Sequence, residues 1–234
     1  KWITLNSVLV QFYDLFDKYL IKFFLGPVAV ATYSIPQQLT GKLSIISKSF
    51  SAFLLPDLSK KKINNQSFNF SLIIFMNVIP IIIFLLFPLY PYILNFWLGN
   101  SYNETIHNLT KVFSMSVIFS CASHILVTKF EATKTLNKNL KIEFFLMPIF
   151  LFFLYFMTKT DYSLLQISLL ILLKEFILFF VRLNFLKKEI EKVEKYYFFS
   201  LLFLLILFLS FYNKNLFYCS LIFLILSFFL KNND

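Results

Sequence analysis

The chain has 234 residues, of which 59% are hydrophobic and only 15% charged, with a mean hydropathy of +0.74 and a formal net charge of +10. Soluble domains hold about 45–50% apolar and about 25% charged residues, so this composition points away from a soluble enzyme and toward a membrane protein. The surplus base lies in short loops between apolar segments, which removes the nucleic-acid reading of the positive charge and leaves anionic lipid heads as its counterpart.

About eight apolar segments can be drawn, at 3–24, 28–57, 68–96, 105–133, 141–158, 162–186, 196–212 and 216–230. Most are near the roughly 20 residues that cross a hydrocarbon core. Only three glycines are present and strand-like alternation is missing, so the segments read as helices. The predicted fold is an all-α integral membrane protein, a polytopic bundle of about eight transmembrane helices.

The first segment bears a polar stripe at helical spacing: Ser7, Gln11, Asp14, Lys18 and Lys22. A lysine or aspartate near a bilayer centre costs about 2.5–3.5 kcal/mol on insertion scales. The stripe therefore lines a wet passage or pairs with neighbouring helices. Within it, Asp14 and Lys18 stand one turn apart, acid first, and are expected to pair. In the second segment Gln37, Gly41, Ser44, Lys48 and Ser51 share a face, with Lys42 off that face and Pro36 opening the outer half. Small-residue packing explains Gly41, Ser44 and Ser51 but leaves both lysines unexplained.

The fourth segment places Thr110, Ser114, Cys121, His124, Thr128 and Glu131 at helical spacing, with His124 near its middle. A histidine there either shuttles a proton, contacts a substrate, or satisfies an interhelical hydrogen bond. The sixth holds Lys174 and Glu175 near its centre and Arg182 a heptad after Glu175. Adjacent residues project about 100° apart, so Lys174 and Glu175 are not expected to face each other. The third, fifth, seventh and eighth segments are greasy, and the bundle is expected to have one wet side. Cys121 and Cys219 lie in spans and read as packing residues.

Loop charge gives the orientation. Lys60 to Lys62, then Lys134, Lys138 and Lys141, then Lys187, Lys188, Lys192 and Lys195 alternate with loops that are nearly free of base. The positive-inside rule makes the lysine-rich loops cytoplasmic and places both ends of this chain in the cytoplasm. No nucleophile–base arrangement, phosphate-cradling glycine loop or metal-ligand spacing occurs. The expectation is a non-enzyme, with no catalytic residues, metal or cofactor. The opening Lys1-Trp2-Ile3, without methionine, reads as the downstream part of a longer protein.

The segment from Phe16-Asp17-Lys18 through Leu25-Gly26-Pro27 and the alanine–valine run to Tyr33-Ser34 resembles the start of the second half of polysaccharide flippases. The stretch Asn95-Phe96-Trp97-Leu98-Gly99-Asn100-Ser101-Tyr102 resembles an outer loop of the same proteins, with Asn100 where many members have an acid. The family is the Wzx-like O-antigen and capsule branch of the multidrug/oligosaccharidyl-lipid/polysaccharide exporter superfamily. The resemblance implies that residues 1–190 form the six-helix C-terminal lobe of a two-lobe transporter, with residues 191–234 as two additional helices. It also implies a missing N-terminal lobe of the same chain. The implied cargo is an undecaprenyl-diphosphate-linked oligosaccharide, flipped across a bacterial inner membrane by alternating access.

Asp14, Lys18, Lys22, Gln37, Lys42, Lys48, His124, Lys174 and Glu175 are then the cavity candidates, with the lysines drawing the anionic diphosphate. A multidrug or cation antiporter of the same superfamily is the nearest alternative. The embedded bases outnumber the acids in this reading, which favours an anionic cargo over the cations such an antiporter takes. A membrane-embedded polysaccharide-modifying enzyme is the other alternative. It would require a large arginine-bearing outer loop or a partnered histidine.

Overall fold

The computed structural model describes residues 2–59, 65–160 and 162–187, and all regular elements among them are helical. They are α1 (Trp2–Gly41), α2 (Ser44–Ser59), α3 (Asn65–Leu86), α4 (Tyr90–Leu98), α5 (Glu104–Ala132), α6 (Leu136–Lys159) and α7 (Leu164–Phe185). Among the described residues, five helical stretches are long and apolar enough to cross a membrane: Thr4–Gly41, Val78–Ser101, Glu104–Ala132, Leu136–Lys159 and Leu164–Phe185. The segments expected at 196–212 and 216–230, and the second domain at 191–234, lie outside the described residues.

The first of these stretches is not one rod. Gly26 has φ 86° and ψ 174°, a backbone conformation open in practice to glycine alone. Pro27 follows at the first position of the next helical arm, where its missing N–H costs nothing. The chain reverses here. Asp17 accepts hydrogen bonds from Tyr33 Oη at 2.9 Å and Gln37 Nε2 at 3.5 Å. Sixteen and twenty residues along a straight helix would stand roughly 24–30 Å away, so the two arms must lie antiparallel. The reversal at Gly26-Pro27 matches the loop expected between the first two segments.

The second arm passes into α2 through a tight turn. Lys42 N and Leu43 N bond to Leu39 and Thr40 carbonyls three residues back, and Ser44 Oγ takes the Gly41 carbonyl at 2.7 Å. Likewise the third segment divides at a short 3₁₀ turn, Phe87–Leu89, which contains Pro88 and is followed by Pro91.

Helix α5 is the axis of the assembly and touches α1, α2, α3, α6 and α7. Its start is fixed by Asn103, whose Oδ1 accepts from Ile106 N at 2.8 Å, and by Glu104 at the positive end of the helix dipole. Helix α7 starts from a capping box between Ser163 and Gln166. Two apolar clusters bind the helices. The larger packs Phe68, Leu72, Ile83, Leu94, Ile118, Phe119, Ile125 and Phe179. The smaller packs Ile21, Tyr33, Leu109, Phe113, Leu154 and Ile167 around the α1 hairpin. A row of Phe144, Phe145, Phe152, Phe153 and Phe156 on α6 is exposed, as is Leu15, Tyr19 and Phe23 on the first arm of α1. Side chains of this kind are suited to lipid contact.

Candidate functional site

Between the α1 hairpin, α2, α5, α6 and α7 lies a cavity of about 630 Å³. The first arm of α1 contributes Asn6, Gln11, Asp17 and Lys18 to its wall, and the second arm Gln37, Gln38, Thr40 and Gly41. Ser44 and Lys48 come from α2, and Ser116, Ser120, Ser123, His124 and Glu131 from one face of α5. Glu143 belongs to α6, and Lys174, Glu175 and Arg182 to α7. Phe113, Val117, Val127, Met147, Ile171 and Leu178 fill in the apolar surface.

Of the residues singled out from sequence, Lys18, Gln37, Lys48, His124, Lys174 and Glu175 share this wall. Lys22 and Lys42 do not. Both are exposed and neither lines the cavity, because the wet face of the first arm runs through Asn6, Val10, Asp17 and Lys18, and Lys42 sits in the turn before α2. The side chains of Ser7 and Asp14 lie outside the described residues, so the expected Asp14–Lys18 pair does too.

Lys174 and Glu175 also depart from expectation. Their side chains form a salt bridge of 3.1 Å, with both largely buried. The long lysine stem bends around the helix far enough to close the angle between neighbours. On α5 the expected stripe is divided between two faces. Thr110, Ser114 and Thr128 return their hydroxyls to carbonyls of their own helix, Ile106, Thr110 and His124, and Ser114 also meets Tyr90 Oη at 2.6 Å. The hydroxyls on the cavity wall are instead those of Ser116, Ser120 and Ser123.

Three acids on the wall were not among the cavity candidates: Asp17, Glu143 and Glu131, the last placed by sequence only on the polar stripe of its helix. Asp17 is buried and takes bonds from Tyr33, Gln37 and the backbone N–H of Lys18, the last at 2.6 Å. It ties the two arms of the hairpin together. Glu143 is the centre of a second network. Its Oε1 accepts from Arg182 Nη2 and from Asn139 Nδ2, the latter at 3.1 Å. Asn139 Oδ1 accepts from Arg182 Nε at 2.8 Å, and Asn139 Nδ2 reaches Asn6 Oδ1 at 3.2 Å. The greasy fifth segment thus joins the polar interior after all, through Asn139 and Glu143 at the start of α6.

Among the described residues the charge on the wall is balanced. Lys18, Lys48, Lys174 and Arg182 stand against Asp17, Glu131, Glu143 and Glu175. The excess of embedded base read from sequence came from counting Lys22 and Lys42 and omitting the three acids. With Arg182–Glu143 and Lys174–Glu175 paired, Lys18 and Lys48 are the wall cations without a salt bridge among the described residues. No group of three or more possible metal ligands occurs among the described residues.

The cavity is thus a chamber lined by both polar and apolar side chains and framed by helices long and apolar enough to cross a membrane. The chain resembles part of a transporter. Over 147 residues, 59% of its length, it is 26% identical to a Shigella flexneri protein named "Putative O-antigen transporter". The match spans 33% of that relative, so the chain corresponds to about a third of its length. No family model matches the chain, and no solved structure does.

Proposed function

We propose that this chain is the C-terminal lobe of a flippase for polyprenyl-diphosphate-linked oligosaccharides of the O-antigen or capsule type. The observation that supports it most is the ion-lined cavity between membrane-length helices, in a chain similar to part of a putative O-antigen transporter. In this reading residues 1–190 form the lobe, residues 191–234 add two helices, and an upstream lobe of the same protein completes the chamber. The protein sits in a bacterial inner membrane with both ends of this chain in the cytoplasm. The cargo's diphosphate is anionic, and Lys18 and Lys48 are the wall cations without a salt bridge among the described residues. In a site of low effective dielectric they attract an anion more strongly than lysines in water. Serine hydroxyls and amides on the wall bond sugar hydroxyls. The lipid tail stays in the bilayer, and rocking of two lobes about the site exposes the head to each side in turn.

The equal number of acids and bases on the wall supports a second reading, an antiporter of organic cations in the same superfamily, in which Asp17 and Glu131 meet the cargo. Complementation separates the two. The full-length protein, expressed in cells that lack their own O-antigen flippase, is expected to restore surface polysaccharide. Inserted protein that leaves lipid-linked oligosaccharide in the inner leaflet while conferring drug efflux would overturn the flippase reading.

A further inference from the structure

We infer that the Glu143–Arg182 pair is a charge-neutral subsite that reads hydroxyl groups, and so selects the saccharide of the cargo rather than its diphosphate. The inference rests on the flippase reading. Glu143 is 1% exposed and Arg182 7% exposed, yet both belong to the cavity wall. The carboxylate is used unevenly. Oε1 accepts from both Arg182 and Asn139, whereas Oε2 is buried and has no hydrogen-bond partner. Leaving a carboxylate oxygen unpaired away from water is costly, so Oε2 calls for a donor.

The guanidinium has five N–H donors and commits Nε and Nη2 to Asn139 and Glu143 Oε1, which leaves further donors of the pair uncommitted. Ser123 Oγ, buried on the same wall, is also without a partner. A free acceptor and free donors on one wall match a hydroxyl, which gives and takes a hydrogen bond at once. A diphosphate brings acceptors only and would meet the carboxylate unfavourably. Because the charges of the pair cancel, the subsite exerts little net pull on an anion. That role falls to Lys18 and Lys48. Asn139 holds the pair in register by bonding both members and Asn6.

The test uses the full-length protein in nanodiscs and two probes: polyprenyl diphosphate without sugar, and the lipid-linked oligosaccharide purified from cells expressing the protein. The double variant Glu143→Gln/Arg182→Gln keeps the wall's net charge. It is expected to weaken binding of the sugar-bearing lipid roughly tenfold, the effect of losing one hydrogen bond to a charged group, and to leave the bare diphosphate within about twofold. Glu143→Asp, which preserves the ion balance while withdrawing the carboxylate, is expected to show the same selectivity and covers the case of a double variant that does not fold. Parallel loss for both probes, or none for either, overturns the subsite. Wild-type protein that binds neither probe would instead overturn the flippase reading itself.

Discussion

Lys22 on α1 and Lys48 on α2 are both helical lysines, yet only Lys48 lines the cavity. If the free cations of the wall draw a diphosphate, Lys48→Gln should lower surface-polysaccharide complementation several-fold at equal membrane abundance. Lys48→Glu should lower it much further, since a like charge in a poorly screened site repels the cargo. Lys22→Gln should leave it unchanged. Equal activity of wild type and both Lys48 variants would remove the anion-attracting role. Sequence spacing found Lys48 because its neighbours Gln37, Gly41 and Ser44 repeat along one helical face. It overlooked Glu143 because the acid lies next to a lysine-rich loop and its partner Arg182 is 39 residues further along. The legible signal was Asn139, one turn before Glu143, which marks a polar edge on an otherwise apolar helix.

At the scale of elements, the hairpin of α1 depends on one glycine and one buried carboxylate. No heavy atom beyond its own neighbours lies within 4 Å of a methyl group added at Gly26, so a substitution there is opposed by backbone conformation rather than by crowding. Gly26→Ala is expected to destabilise the protein by about 1–3 kcal/mol. Gly41→Ala, at a helical position with equally open surroundings, should instead stabilise it by up to about 1 kcal/mol. Thermal unfolding in detergent reads both, and the same loss at the two sites would contradict the hairpin geometry. Tyr33→Phe removes one of the bonds on Asp17 and is expected to cost about 0.6–1.7 kcal/mol, the range found for interhelical hydrogen bonds in membranes. The reversal itself was legible, since Gly-Pro between two apolar runs leaves few alternatives. The breaks at Lys42-Leu43 and Phe87–Leu89 were not, because segment hydropathy averages over a local turn that leaves the chain apolar on both sides.

On the scale of the molecule, the predicted orientation turns on α5, whose 29 residues span roughly 43 Å and are long enough to cross the hydrocarbon core completely. Ser101 stands just before this helix, and Lys134 and Lys138 just after it, all three exposed. If α5 crosses, they reach opposite sides of the membrane. The lysines cluster after α5 and at the ends of α2 and α7, whereas the turn around Gly99 has none, so the positive-inside rule predicts a cytoplasmic lysine side. Substituted cysteines test this in intact cells with a membrane-impermeant maleimide. Ser101→Cys is expected to react from outside and Lys138→Cys only after the membrane is opened, while native Cys121, fully buried, stays silent. Labelling of both from outside would show that α5 does not cross. The reverse pattern would turn the molecule over, and the Asn6–Asn139–Glu143–Arg182 end of the cavity would then face outward, away from the leaflet where the proposed cargo is assembled.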